Sequence, residues 1–305
     1  MSEVAEKVTV IPLEVKLPAM LDIFMTDEYL FTVSHTSVFQ FDLSGKFLRE
    51  IDCGGSVAHS ISGDTIKKEL YIPVNNELKV YDFQGRLKKT YGLTNRSYGC
   101  FFYKNTLWIQ SHKTFDNSII SYDISYLDFI TEKESFLPIK IQKNMEEEGY
   151  FIIFPGIFTI QDKTVLFSFQ RTDNTLYQIQ KQDQRLNSFL NLKLQIPSQN
   201  REKNNKDRIE SWGFIGKYLF VDYKIDDQFF LYMEDTKTGK RLHTKNHNGD
   251  GIIEDVFNSG MCTKITTFNR EGHFFFSRKK ESISEKSIDG HLVKNGPVVF
   301  IVKTK

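Results

Sequence analysis

The sequence is poor in cysteine, has no long apolar run and carries almost no net charge, and each shortage excludes a class of protein. Its three cysteines, Cys53, Cys100 and Cys262, lie far apart and form no C-x-x-C pair, which argues against a disulfide framework or a structural zinc site. No run of about 18 apolar residues occurs, so no transmembrane helix is predicted. The net charge is +1, which gives no general attraction to nucleic acid.

Aromatic residues, in contrast, are abundant. They make up 14% of the chain, and 27 of its 305 residues are phenylalanine. Aromatic side chains favour β-strands. Residues 1–16 are polar and alternating and show no signal-peptide core; a signal that is removed in nature is the alternative.

A hairpin pattern recurs along the chain. VFQFDLSGKFLREI at 38–51 and LKVYDFQGRLKKTY at 78–91 share apolar alternation, an aromatic-Asp pair, a turn with Gly and a second alternating run. Weaker copies begin at residues 119, 176 and 229. Aspartate hydrogen-bonds its own turn backbone and glycine takes the positive φ of a tight turn. Each copy therefore predicts a β-hairpin.

Two more apolar segments precede each hairpin, so the repeating unit is predicted to have four antiparallel strands. Units of this kind arranged radially are propeller blades. We predict an all-β fold, a single six-bladed β-propeller domain over residues 1–305, with insertions at about 131–150, 191–210 and 244–260. A stack of β-sandwiches is the alternative, and residues 141–149 suggest one helical turn inside an insertion.

The last unit ends with VVFIVKTK at 298–305 and lacks its fourth strand, whereas VTVIPLEV at 8–15 is a strand without a unit. We therefore predict that the N-terminal strand, about 8–15, joins the last blade and closes the ring. Radial closure protects the sheet edges.

The hairpins resemble those of NHL-type six-bladed propellers, and more closely the six-bladed propeller proteins of gut Bacteroidetes. The resemblance spans about residues 8–304 and depends on Phe41-Asp42-Leu43-Ser44-Gly45-Lys46, on Tyr81-Asp82-Phe83-Gln84-Gly85-Arg86 and on Tyr122-Asp123. Members are commonly exported and often carry a lipoprotein signal. The resemblance implies a periplasmic or cell-surface lipoprotein, with its lipid anchor outside this chain.

Enzymatic chemistry has little support in the motifs. Some six-bladed propellers resemble metal-dependent lactonases, whose cation needs several oxygen ligands from inner strands. The predicted inner strands offer Asp22, Asp64, Tyr98, Ser211 and Thr263. Because these include too few carboxylates, we expect no catalytic residue, no metal and no cofactor, with a lactonase-like hydrolase or lyase acting at the central channel as the alternative.

Two local groupings of reactive residues also have simpler interpretations. The segment HTKNHNGDGIIEDVFN at 243–258 groups histidines with carboxylates, but its NGDG string is turn chemistry first; a ligand-contacting loop or a metal site are the alternatives. Ser60 lies beside His59 and near Asp64, yet alternation points neighbouring side chains to opposite faces and no G-x-S-x-G motif occurs.

One repeat position groups cationic or titratable residues. The second strands can be aligned by their leading apolar residue. The position five residues after it holds His35, Asn75, His112, Arg171, Lys224 and Arg278 or Lys279. Equivalent positions of a propeller form a ring around its axis, so we predict an anion-binding ring at one mouth of the channel. The alternative is a set of solvated loop cations.

Aromatic residues at the blade entries add a second element to this hypothesis. Tyr98, Trp212 and Phe257 could stack on a sugar or a peptide, or pack between blades. We predict a non-catalytic, monomeric binding protein whose partner is a small anionic ligand, a glycan or a protein, and not a nucleic acid.

Overall fold

The computed structural model describes residues 3–18, 20–55, 60–114, 119–137, 141–144, 157–161, 164–168, 175–180, 185–192, 208–226, 228–246, 252–253, 262–263, 266–278 and 296–305. Within these ranges the chain is all-β and contains no helix. Its strands form six antiparallel sheets arranged as the blades of a propeller, as predicted from the repeat. The single-domain interpretation stays a prediction.

The first three blades take their strands in chain order, from the inner strand outward. Blade 1 consists of β2 (Asp22–Met25), β3 (Tyr29–Val33), β4 (Ser37–Asp42) and β5 (Phe47–Asp52). Blade 2 consists of β6 (Ser62–Asp64), β7 (Glu69–Val74), β8 (Glu77–Asp82) and β9 (Leu87–Gly92). Blade 3 consists of β10 (Arg96–Tyr103), β11 (Thr106–Thr114), β12 (Ile119–Asp128), β13 (Lys133–Phe136) and β14 (Ile141–Asn144).

The second half repeats this order. Blade 4 consists of β15 (Ile157–Gln161), β16 (Thr164–Ser168), β17 (Thr175–Gln180) and β18 (Arg185–Asn191). Blade 5 consists of β19 (Arg208–Ile215), β20 (Tyr218–Ile225), β21 (Gln228–Asp235) and β22 (Arg241–Asn246). A short ribbon of β23 (Ile252–Ile253) and β24 (Cys262–Thr263) precedes blade 6, which consists of β25 (Thr266–Thr267), β26 (His273–Arg278), β27 (Val298–Thr304) and β1 (Ala5–Pro12).

This arrangement gives the propeller two different faces. The loop face carries the connections between blades and the loops from the second to the third strand of each blade. The turn face, at the opposite ends of the strands, carries the turns from the first to the second strand and from the third to the fourth. The two names are used in this sense below.

The aromatic-Asp hairpins of blades 1 and 2 have one geometry. Asp42 Oδ1 accepts the backbone N–H of Ser44 at 2.9 Å and of Lys46 at 3.0 Å. In blade 2, Asp82 Oδ1 accepts the equivalent two N–H groups at 2.9 Å each. Gly45 and Gly85 take φ values of 84° and 82°, in the left-handed region that a side chain disfavours. The aspartate and the glycine of the sequence motif therefore determine the hydrogen bonds and the backbone conformation of these turns.

The N-terminal strand closes the ring. Its residues pair with β27 from Ala5–Thr304 to Pro12–Val298, which makes β1 the outer strand of blade 6. The prediction of ring closure is confirmed, with β1 lying three residues earlier in the sequence than predicted. The closing segment then runs against blade 1, where Glu14 N donates to Gly45 O at 3.0 Å.

The core lies between the blades as a series of apolar clusters. One cluster joins blades 1 and 2 around Phe24, Phe31 and Leu70, and another joins blades 5 and 6 around Phe220 and Phe274. Burial of such side chains supplies the main favourable free energy of folding. Each blade is consequently held by its two neighbours.

The insertion after blade 3 differs from its prediction. Residues 141–144 form β14, which extends along β12 beside β13, so the suggested helical turn is wrong there. Extended pairing satisfies the backbone groups that an isolated helical turn would leave open. Of the predicted insertions, residues 138–140, 145–150, 193–207, 247–251 and 254–260 lie outside the described ranges.

Candidate functional site

Tyr98 and His112 form a stacked pair on blade 3. Their ring centroids are 4.1 Å apart and their planes differ by 11°. Tyr98 belongs to the inner strand β10 and is skipped in the pairing with β11, where the register shifts between Ser97 and Gly99. A β-bulge of this kind redirects a side chain. The bulge turns the Tyr98 ring onto His112, near the loop-face end of both strands.

Both members of the pair carry a buried polar atom that has no hydrogen-bond partner. These atoms are Tyr98 Oη and His112 Nδ1. A buried polar group without a partner costs about 1–3 kcal/mol, and such groups are rare in native structures. The pair thus holds a hydroxyl donor and an imidazole nitrogen whose hydrogen-bonding capacity is unused.

Burial controls the charge of this pair. Desolvation, followed by the nearby Arg96 guanidinium, lowers the pKa of His112 to about 4, so the imidazole is neutral at pH 7. Desolvation also raises the pKa of Tyr98 well above its usual range. Positive charge at this position therefore comes from Arg96, which is exposed at the start of β10 and was not among the residues chosen from the sequence.

Four other members of the predicted ring are described, and each lies at or just after the loop-face end of a second strand. His35 and Asn75 are exposed in the loops after β3 and β7, and Asn75 has a φ of 55°. Lys224 lies 5.4 Å from the Phe229 ring centroid, and Arg278 lies 5.2 Å from that of Phe276. An anion-binding ring formed by these residues stays a prediction.

Other predicted positions fall outside the described residues. Arg171 and Phe257 are among them, as is most of the segment 243–258. Within that segment His243 is described: its Nε2 shares a hydrogen bond with Tyr223 Oη, and its ring stacks on Tyr223 with planes 13° apart.

Trp212 lies in the core. Its exposed fraction is 1%, and it packs with Leu166 and Phe214 between blades 4 and 5. Packing between blades is the alternative that the sequence left open for the blade-entry aromatics. We therefore do not include Trp212 in the candidate site.

Asp22 joins the inner strands of blades 1 and 2. Its Oδ2 accepts the N–H of Ile61 at 3.1 Å and its Oδ1 accepts the N–H of Ile23 at 2.8 Å. Desolvation, partly offset by these bonds and by Ser60, raises the pKa of Asp22 to about 7. Ser60 in turn donates to Cys100 O of blade 3 at 3.1 Å. The carboxyl thus changes charge near neutral pH while holding an inter-blade contact.

The inner strands of blades 4 and 6 are joined by a hydrogen bond. Thr267 Oγ1 of β25 donates to Phe158 O of β15 at 3.1 Å, although blade 5 lies between these blades in the ring.

The residues on the inner strands differ from the prediction at two positions. Thr263 lies on β24 of the short ribbon, so its assignment to an inner strand is wrong; β25 begins three residues later. Glu210, which the sequence interpretation missed, is buried on β19 at a bulge between Ile209 and Ser211. Aligning β10 with β19 would have revealed Glu210, because its bulge matches that of Tyr98.

No group of three or more His, Cys, Asp or Glu side chains among the described residues is placed to hold a metal ion. The lactonase-like alternative stays a prediction. The described part of the chain also contains no helix long and apolar enough to cross a membrane. Cys53 and Cys100 are buried and free, and burial raises the pKa of the Cys53 thiol to about 11.

Solved structures that share this fold include two proteins from Bacteroides. A protein of Bacteroides fragilis NCTC 9343 that is assigned as exported is 13% identical with a TM-score of 0.68, over 98% of this chain and 95% of that chain. A structural-genomics protein of unknown function from Bacteroides thetaiotaomicron VPI-5482 is 10% identical with a TM-score of 0.54, over 97% and 76%. No protein-family model and no curated protein matches the sequence. The resemblance to Bacteroidetes propellers is therefore confirmed for the fold.

Proposed function

We propose that this chain is a non-catalytic binding protein that takes a small anionic ligand or glycan on its loop face, at the Tyr98–His112 pair of blade 3. The observation that carries the proposal is the pair of buried, partnerless polar atoms on two stacked rings. A propeller fold commonly binds ligands or proteins, and function must be argued from the site itself.

An acidic sugar fits the chemistry of this site best. Aromatic rings offer a face for the C–H groups of a pyranose, and the Tyr98 hydroxyl and the neutral His112 suit sugar hydroxyls, which both donate and accept. Arg96 adds a fixed positive charge, and a guanidinium binds a carboxylate through two parallel hydrogen bonds. We therefore favour a uronic acid over a neutral sugar or an inorganic anion.

Calorimetric titration with glucuronate, glucose and sulfate tests this proposal. Glucuronate should bind the full chain at least about tenfold more tightly than glucose, because one charge-assisted hydrogen-bonded contact contributes about 1.5–3 kcal/mol. Tyr98→Phe and His112→Ala should each weaken glucuronate binding. Tyr103→Phe, at the turn-face end of the same strand, should leave the affinity unchanged and serves as the matched control.

Two results would contradict the proposal. One is the absence of heat from every probe together with an unchanged melting temperature, because a ligand that binds only the folded state must raise it. The other is glucuronate binding that survives both Tyr98→Phe and His112→Ala.

We also infer a periplasmic or cell-surface location, in the form of a lipoprotein. The B. fragilis protein of the same fold is assigned as exported, which supports a location outside the cytoplasm, and the hairpin resemblance supports the lipid anchor. Fractionation of cells that express the natural gene tests both points. Recovery of the protein with the cytoplasm would contradict the inference.

A further inference from the structure

A row of small polar side chains crosses blade 3. Ser97 of β10 pairs with Ser111 of β11, which pairs in turn with Asp123 of β12. Directly opposite residues of an antiparallel sheet point to the same face, with Cβ atoms about 4.5–5.5 Å apart. Ser121 shares that face, because it lies two residues before Asp123 on the same strand. Ser111, Ser121 and Asp123 together are called the serine–aspartate cluster below.

The cluster lies on the face of blade 3 that is turned toward blade 2. Further along the same strands, Ile109 and Leu127 pack with Tyr71 of blade 2. Ile109 precedes Ser111 by two residues and therefore shares its face. His112 follows Ser111 directly and points to the opposite face. The cluster is consequently separate from the proposed sugar site.

Both serine hydroxyls of the cluster are buried and have no hydrogen-bond partner. Ser111 is 0% exposed and Ser121 is 1% exposed, and the Oγ atom of each makes no hydrogen bond. Buried hydroxyls without a partner are rare in native structures. Ser111 lies opposite the Asp123 carboxyl without donating to it. Two such oxygens beside one carboxylate point to a ligand that all three bind.

Negative charge is concentrated on this face. Asp123 is 9% exposed, and its Oδ2 accepts a side-chain N–H of Asn95 at 3.3 Å. A second carboxyl, that of Glu134, accepts the hydroxyl of Ser125 at 2.6 Å and the backbone N–H of Thr94 at 2.8 Å. Ser125 lies two residues after Asp123, so both carboxyls belong to the same face. A cation is the ligand that this charge favours.

The donor atoms select the kind of cation. Oxygen ligands suit hard ions. Calcium accepts oxygens at about 2.3–2.6 Å in flexible geometry, whereas magnesium requires near-ideal octahedral geometry and keeps several waters. The buried hydroxyls leave little access for water, which favours calcium. The two carboxyls of this face favour a divalent ion over a monovalent one.

We propose that the serine–aspartate cluster binds a calcium ion between blades 2 and 3, through the carboxylate of Asp123 and the hydroxyls of Ser111 and Ser121. Two of these three ligands are serines, so the cluster differs from the groups of three His, Cys, Asp or Glu side chains that the described residues lack. The ion satisfies both hydroxyls and offsets the charge of the buried carboxylate.

Thermal unfolding and calorimetric titration of the chelator-treated full chain with calcium chloride test this proposal. Calcium at about 100 times its Kd should raise the melting temperature by about 5 °C, because an ion that binds only the folded state stabilises it. Sodium chloride at equal ionic strength should give no shift. Magnesium should bind at least about tenfold more weakly than calcium, because the site holds too few waters for it.

Substitutions in the cluster locate the ion. Asp123→Asn should abolish the calcium-dependent shift, and Ser111→Ala and Ser121→Ala should each weaken calcium binding at least about tenfold. Asp222→Asn removes a buried carboxyl from the second strand of blade 5 and is the matched control, with calcium affinity unchanged. His112→Ala should also keep its calcium affinity, which separates this site from the sugar site.

Lys113 requires a variant of its own, because its backbone pairs with that of Ser121. Lys113→Met should bind calcium as tightly as the natural chain. Three results would overturn the proposal. They are the absence of both heat and a melting-temperature shift with calcium, a shift that Asp123→Asn retains in full, and calcium binding that appears only in Lys113→Met. The last result would assign the place of the ion to the lysine ammonium group.

Discussion

The two faces of this propeller differ in how completely their polar groups are satisfied. On the turn face, Asp42 and Asp82 each close a turn with two backbone N–H groups. On the loop face, Tyr98 Oη and His112 Nδ1 are buried without a partner. The first arrangement stabilises the fold, and the second leaves two polar atoms unsatisfied. The difference separates residues that should matter for stability from residues that should matter for binding.

The largest effect is expected from a glycine of the turn face. A Cβ at Gly45 would lie 1.9 Å from Pro12 O, and its φ is 84°. Gly45→Ala should therefore lower the free energy of unfolding by about 4 kcal/mol or more, because the closing segment must move. Gly239→Ala, where a Cβ meets nothing within 4 Å, should cost only about 1 kcal/mol. Urea denaturation of both variants measures the difference, and equal losses would contradict this account of ring closure.

A loop-face carboxyl should make stability fall as pH rises. The pKa of Asp22 is about 7 in the folded chain against its usual 3.8. Its contribution is therefore complete below about pH 4 and is lost as pH rises through 7. Relative to Asp22→Asn, the natural chain should lose about 4 kcal/mol between pH 4 and pH 9. Denaturation curves at several pH values measure this, and parallel pH profiles of the two proteins would refute it.

His112 should act in the opposite direction and more weakly. Its pKa falls to about 4 in the folded chain from 6.5, since burial disfavours the imidazolium. Its contribution is present above pH 6.5 and is lost as pH falls toward 4. Relative to His112→Gln, the natural chain should lose about 2 kcal/mol over that interval, with a discount for partial exposure. A pH profile that this substitution leaves unchanged would show that the imidazole is not buried in the way described.

The parts of the structure that could be predicted from the sequence are those set by local chemistry. An aromatic-Asp pair three residues before a glycine dictates the turns of blades 1 and 2, and the apolar alternation dictates the strands beside them. The missing fourth strand of the last unit was enough to predict the role of β1. These features need no knowledge of distant residues.

The candidate site was harder to predict from the sequence because it depends on the register between two strands. Tyr98 meets His112 only because a bulge shifts β10 against β11, and a regular alternation would have sent the tyrosine to the other face. For the same reason Glu210, which lies at the equivalent bulge of β19, was not predicted from the sequence. The repeat alignment singled out His112 as the end of a second strand, whereas the neutral charge of His112 follows from burial that only the folded structure shows.

The most direct test of the binding site follows the imidazole of His112 by nitrogen-15 NMR. The chain has seven histidines, and the resonances missing from His112→Gln identify those of His112. Addition of glucuronate should shift these resonances with the affinity found by calorimetry and leave those of His273, at the turn-face end of β26, unchanged. If the His112 signals stay in place while glucuronate binds, the ligand site is not at this pair.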